Sequence, residues 1–132
     1  MCGFLFNFSR TGEFKNFKEE LFINNFNTII HRGPDESGFI FKKNYAVGSC
    51  RLKIFDLVNG KMPLYDESKR YFIVYNGEIY NFKELKNSFL KNIKFKSQGD
   101  GEVILHLYLK VGISFISKLN GMFSIALIDE RI

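Results

Sequence analysis

The chain has 132 residues, 45% of them hydrophobic, enough to bury a core but too short for more than one domain. Its net charge of +5 is carried by scattered lysines, singly or in pairs such as Lys42-Lys43, with Lys94 and Lys96 the nearest approach to a basic face. That pattern favours a solvated surface over a nucleic-acid partner, and no apolar run is long enough to span a membrane or flanked like a secretory signal.

In chain order, Gly3–Phe8 is predicted to be a strand with Phe4, Phe6 and Phe8 on one face. Residues 18–30 are predicted to be a helix, because Phe22, Phe26, Ile29 and Ile30 form one apolar stripe. Asn16 and Glu19 have the spacing of a capping box, and Gly33-Pro34 should stop the helix. Strands over 38–42 and 45–50 flank a Lys43-Asn44 turn. "YFIVY" at 71–75 is apolar on both faces and reads as a buried central strand. Helices follow at 81–91, with Asn81 and Glu84 as a cap pair, and at 102–111. "GMFSIALI" at 121–128 reads as a second doubly buried strand. Strands covered on both faces and interspersed with helices point to a layered α+β fold. A sheet ending just after that last strand would leave an apolar edge open, so the sequence is expected to be a fragment, loosely packed and without activity when alone.

Two cysteines, Cys2 and Cys50, make no disulfide framework, and free thiols in a reducing cytoplasm are the expected state. Cys2 stands directly behind Met1. Loss of Met1 would give one residue both a thiol and a free α-amine. A thiol ordinarily titrates near about 8.5 and an α-amine near about 8, so the amine can take the thiol proton at neutral pH. The alternative is a cysteine of no special role. Asn76-Gly77 follows the most buried strand, where an Asn amide and a Gly N–H could form an oxyanion hole; the same dipeptide is also the commonest turn. Arg51 could hold a carboxylate by a two-pronged pair. Asp100 could hold an ammonium, or simply cap the following helix. Together these groups suit a free amino acid with a reactive side-chain carbonyl.

The words "MCG", "HRGPDESG" (31–38), "RLKIFD" (51–56), "PLYDE" (63–67), "YNGEIYN" (75–81), "GDGEVIL" around Asp100 and "LNGMFSIALID" (119–129) occur in this order. In that order they resemble the glutaminase domain of asparagine synthetases, class II glutamine amidotransferases. The resemblance runs the length of the chain, and it implies an N-terminal nucleophile (Ntn) hydrolase, a four-layer αββα sandwich that is C-terminally incomplete at residue 132. It implies Cys2 as nucleophile with its own amine as base, and Asn76 and Gly77 as the oxyanion hole. It further implies Arg51 on the glutamine α-carboxylate and Asp100 on the α-ammonium, with Glu78 and backbone near Leu52 and Ile54 also holding substrate. His31–Asp35 would order a loop near the site, and neither His31 nor His106 is a candidate base. Cys50 would be a buried small hydrophobe. Gly99 and Gly101 flank Asp100 where the family more often carries hydroxyl residues, and Met62 replaces a common Gln.

No cofactor or metal is expected in this segment. ATP and Mg belong to the synthetase domain that follows in the family, where the released ammonia is consumed. The expected partners are L-glutamine and that domain, with a homodimer allowed, and neither nucleic acid nor membrane. Two rival readings remain open on sequence alone. One is an amidotransferase with another carboxylate acceptor, such as a surface sugar. The other is an inactive remnant.

Overall fold

A computed structural model describes residues 2–53 and 60–131. The chain divides into two compact units, Met1–Lys53 and Ile54–Ile132.

The first unit contains β1 (Gly3–Phe8), α1 (Glu19–Asn27), a 3-10 turn (Ile30–Arg32), β2 (Glu36–Phe41) and β3 (Tyr45–Arg51). These strands form an antiparallel sheet in the order β1-β3-β2. Its register pairs Gly3 with Cys50 on one side of β3, and Glu36 with Arg51 on the other. Every residue of the central strand β3 is buried. Phe22 and Phe26 are the buried residues of α1, one turn apart. The Phe26 ring meets Phe39 edge to face at 4.8 Å. Burying each such ring is worth roughly 1.5–3 kcal/mol.

Helix α1 is shorter than its apolar stripe suggests. It stops at Asn27, where the Thr28 hydroxyl bonds back to the Asn25 carbonyl at 2.7 Å. Ile30 therefore leaves the stripe and is 39% exposed. The Asn16–Glu19 capping box does not form, since Lys18 occupies the cap position without a side-chain bond.

The second unit contains β4 (Leu64–Tyr65), β5 (Tyr71–Ile79), α2 (Phe82–Phe89), α3 (Gly101–Val111), a 3-10 segment (Gly112–Lys118) and β6 (Gly121–Asp129). Its sheet runs β4-β5-β6 and is again antiparallel. Ile73, Tyr75 and Ile79 of β5 pack with Leu85 of α2 and with Val103, Ile104 and Leu107 of α3 in one apolar cluster. Asn81 stands at the cap of α2, but its side chain does not cap the helix. Its amide instead bonds the Lys118 carbonyl at 2.9 Å and the Asn120 N–H at 2.9 Å.

Two antiparallel sheets with interspersed helices make the fold α+β, as the sequence indicates. The expectation for β6 needs correction. Among the described residues β6 has one sheet neighbour, β5, so it forms an edge, and Ile128 is its one buried residue. Met122 is 70% exposed. Apolar composition alone suggested cover on both faces; strand order decides which strands receive it.

Candidate active site

In the first unit, Cys2 stands half-buried immediately ahead of β1 and belongs to no disulfide. Its carbonyl accepts a hydrogen bond from Arg32 Nε at 3.1 Å. The β1–β3 ladder pairs Gly3 with Cys50, the chain neighbours of Cys2 and Arg51. Arg51 closes β3 with only 6% exposure. Its Nη1 lies 3.5 Å from Glu36 Oε2, on the strand paired to the other side. Lys53 Nζ is 3.9 Å from the second Glu36 oxygen. The candidate carboxylate clamp is thus a buried cation balanced by an acid that the motifs do not single out.

The segment from His31 to Asp35 runs along the end of β3. A side chain on Gly33 would come within 2.4 Å of the Arg51 nitrogen, so only glycine permits this approach. Pro34 bridges to Arg51. The Asp35 N–H donates to the Arg51 carbonyl at 3.2 Å, and Asp35 Oδ2 accepts the Lys53 N–H at 2.8 Å. This loop therefore packs along Arg51 and Lys53, and Arg32 reaches Cys2 directly. Leu52, a candidate substrate contact, is half-buried just past β3, and the candidate Ile54 lies outside the described residues.

In the second unit, Asn76-Gly77 is not a turn. Both residues continue β5, with Asn76, Gly77 and Glu78 opposite Ser124, Phe123 and Met122. Gly77 holds φ +150°, and a Cβ there would sit 2.1 Å from the Met122 carbonyl oxygen. That backbone excludes every side-chain-bearing residue. Gly77 and Glu78 are exposed. Asn76 Oδ1 is buried and has no hydrogen-bond partner among the described residues. Such orphaned polar atoms are rare in folded proteins and cluster where a protein has work for them.

Asp100 holds the cap position of α3 but makes no side-chain cap bond, which corrects the capping alternative. Its Oδ2 instead accepts the Tyr75 hydroxyl at 2.5 Å and the Ile79 N–H at 2.6 Å. Tyr75 and Ile79 bracket Asn76, Gly77 and Glu78, so this unit brings all four of its candidate residues to one stretch of β5. Glu102 accepts the Ser97 N–H at 2.7 Å. Burial pushes its carboxyl up, but hydrogen bonds from Lys96 and Ser97 outweigh that and hold it below its ordinary value.

Cys50 is 2% exposed, as a buried hydrophobe should be, and its thiol faces the Ile29 carbonyl at 3.5 Å. Burial pushes this thiol above its ordinary pKa, and neighbouring Cys2 pushes the same way. A protonated, enclosed thiol is a poor nucleophile. His106 faces Glu102 one helical turn away at 3.4 Å. Sequence reasoning passed over Arg32 and Tyr75. Arg32 was hidden in a motif read as structural, and Tyr75 in a strand read as purely apolar; its hydroxyl, one of two on that run, was the available signal.

The glutamine amidotransferase domain family matches residues 1–132, the whole chain. The chain belongs to this family. Over 103 residues the glutamine amidotransferase domain is 46% identical to asparagine synthetase [glutamine-hydrolyzing] 2 of Bacillus subtilis, covering 78% of this chain and 14% of that relative. It is 44% identical to asparagine synthetase [glutamine-hydrolyzing] 1 of Arabidopsis thaliana and 45% identical to the Zea mays asparagine synthetase [glutamine-hydrolyzing], covering 18% and 17% of their lengths. The chain therefore spans less than a fifth of these relatives. Among the described residues no group of three or more His, Cys, Asp or Glu side chains could hold a metal ion. No helix of the described residues is long and apolar enough to cross a membrane.

Proposed function

We propose that this domain is the glutaminase half of a glutamine-dependent asparagine synthetase, with the four-layer αββα architecture of N-terminal nucleophile hydrolases. The observation that carries this reading is the position of Cys2. It is the second residue of a chain that matches the amidotransferase family from end to end, half-buried, outside any disulfide and held by its carbonyl. The names of the relatives favour aspartate as acceptor over a sugar carboxylate.

In this mechanism, removal of Met1 frees the Cys2 amine. The amine takes the thiol proton, and the sulfur attacks the side-chain amide carbon of L-glutamine. Charge develops on the amide oxygen, where the Asn76 side-chain amide and the Gly77 N–H stabilise it. The carbon–nitrogen bond breaks, ammonia leaves with the proton from the amine, and water hydrolyses the thioester to release glutamate. Arg51 holds the α-carboxylate, and Asp100 the α-ammonium, with Glu78 and the backbone at Leu52 and Ile54 completing the contacts. Arg51 fits a carboxylate because its planar fork is already buried and oriented by Glu36.

The test is glutamine hydrolysis by the complete gene product and by its Cys2→Ala variant, with the intact mass of each preparation. Loss of Met1, together with glutaminase activity that disappears in the variant while ammonia-dependent amidation survives, is the expected result. Glutaminase activity with Met1 retained would rule out the proposed base.

A further inference from the structure

We propose that Tyr75 is a positioning residue for the substrate ammonium, holding the Asp100 carboxylate away from the helix end that it would otherwise cap. The proposal rests on the assignment of Asp100 to the glutamine ammonium made above.

An aspartate at the cap position of a helix ordinarily accepts an N–H from the first turn. Asp100 has that position in α3 and does not make the bond. Gly99 and Gly101 on either side give its backbone little restraint of its own. What diverts the carboxylate is a pair of donors on β5. The Tyr75 hydroxyl lies 2.5 Å from Oδ2 and the Ile79 N–H 2.6 Å from the same oxygen. Hydrogen bonds to an ionised carboxylate are about twice as strong as neutral ones. Among the described residues Oδ1 accepts no hydrogen bond, so a carboxylate pinned at one oxygen offers the other to a ligand. An ammonium then binds without the loss of freedom that a mobile, glycine-flanked carboxylate would suffer.

The Ile79 donor is backbone and fixed by the β5–β6 ladder. The Tyr75 donor is a side chain, only 7% exposed and anchored in the apolar cluster. Among the described residues Tyr75 is therefore the one side chain that holds the carboxylate's orientation. It also links Asp100 to the residue directly before Asn76, so the ammonium contact and the proposed oxyanion contact share one rigid strand.

The test is calorimetric titration of the complete gene product in a Cys2→Ala background, where glutamine is bound but not consumed. The probes are L-glutamine and glutaramic acid, which lacks only the α-ammonium. Tyr75→Phe should weaken L-glutamine binding about 10-fold, as expected for loss of one charge-assisted bond, and leave glutaramic acid unchanged. Asp100→Glu keeps the charge but displaces the carboxylate from both donors, and should show the same selective loss even if the tyrosine variant fails to fold. Equal loss for both probes would make Tyr75 a structural residue and overturn the proposal. Unchanged glutamine affinity in Tyr75→Phe or Asp100→Glu, with Asp100→Asn impaired, would overturn it while sparing the ammonium assignment. Unchanged affinity in Asp100→Asn, or no glutamine binding by the background chain, would remove the assignment and the proposal with it.

Discussion

Arg32 donates from Nε to the carbonyl of Cys2 at 3.1 Å, across thirty residues of sequence. The bond fixes the first backbone group of the candidate nucleophile from outside its own strand. Terminal residues are poorly ordered unless tied down, and a nucleophile displaced by about 1 Å can lose a hundredfold in rate. Removing the donor while keeping the fold should therefore be felt in chemistry more than in stability. Arg32→Ala is expected to lower glutaminase turnover of the complete protein about 10- to 100-fold, with a thermal midpoint close to that of the parent. Unaltered turnover would show that Cys2 is ordered by β1 alone.

Asn76 separates catalysis from stability in the same way. Its Oδ1 is buried without a partner among the described residues, so the side chain contributes desolvation cost to the folded state. Asn76→Ala should leave stability unchanged or raise it by up to about 1 kcal/mol. Glutamine-dependent turnover should fall about 10²–10³-fold if the amide serves the oxyanion. Urea titration beside a glutaminase assay checks both halves; parallel loss of stability and activity would return Asn76 to a structural role.

Gly77 behaves oppositely. Its φ of +150° and the 2.1 Å approach of a built Cβ to the Met122 oxygen leave no room for alanine. Gly77→Ala should destabilise the second unit by at least about 2 kcal/mol, combining backbone strain with loss of β5–β6 pairing. The shift in urea midpoint measures this. A midpoint equal to the parent's would mean that the β5–β6 register relaxes without cost.

Asp129 predicts how stability responds to acid. The Arg70 guanidinium donates from Nε and Nη2 to the two oxygens of its carboxylate and lowers its pKa from 3.8 to about 2. A folded-state pKa below the unfolded one contributes stability above about pH 4. That contribution is lost as the pH falls from about 4 to about 2. Thermal midpoints measured across this window should drop more steeply in the parent than in Asp129→Asn. Identical slopes would show that the pair contributes nothing to folding.

Much of this protein was determined by its sequence. Alternation marked β1 and an unbroken apolar run marked β5, because burial on one face or on both leaves its pattern in the chain whatever the partner. The ordered motifs singled out Cys2, Arg51, Asn76, Gly77 and Asp100 as candidates, because each is a residue type whose chemistry few others can supply. Tertiary structure decided what those residues touch. Asn76-Gly77 reads locally as a turn, yet the ladder with β6 carries it on as strand. Asp100 reads locally as a cap, yet a hydroxyl twenty-five residues away claims its carboxylate. "GMFSIALI" reads as doubly buried, yet among the described residues its place in the sheet order makes it an edge. In each case the local preference is worth about 1 kcal/mol, and a long-range hydrogen bond or a strand pairing outweighs it. Those partners are set by the folding of the whole chain, so no window of the sequence contains them.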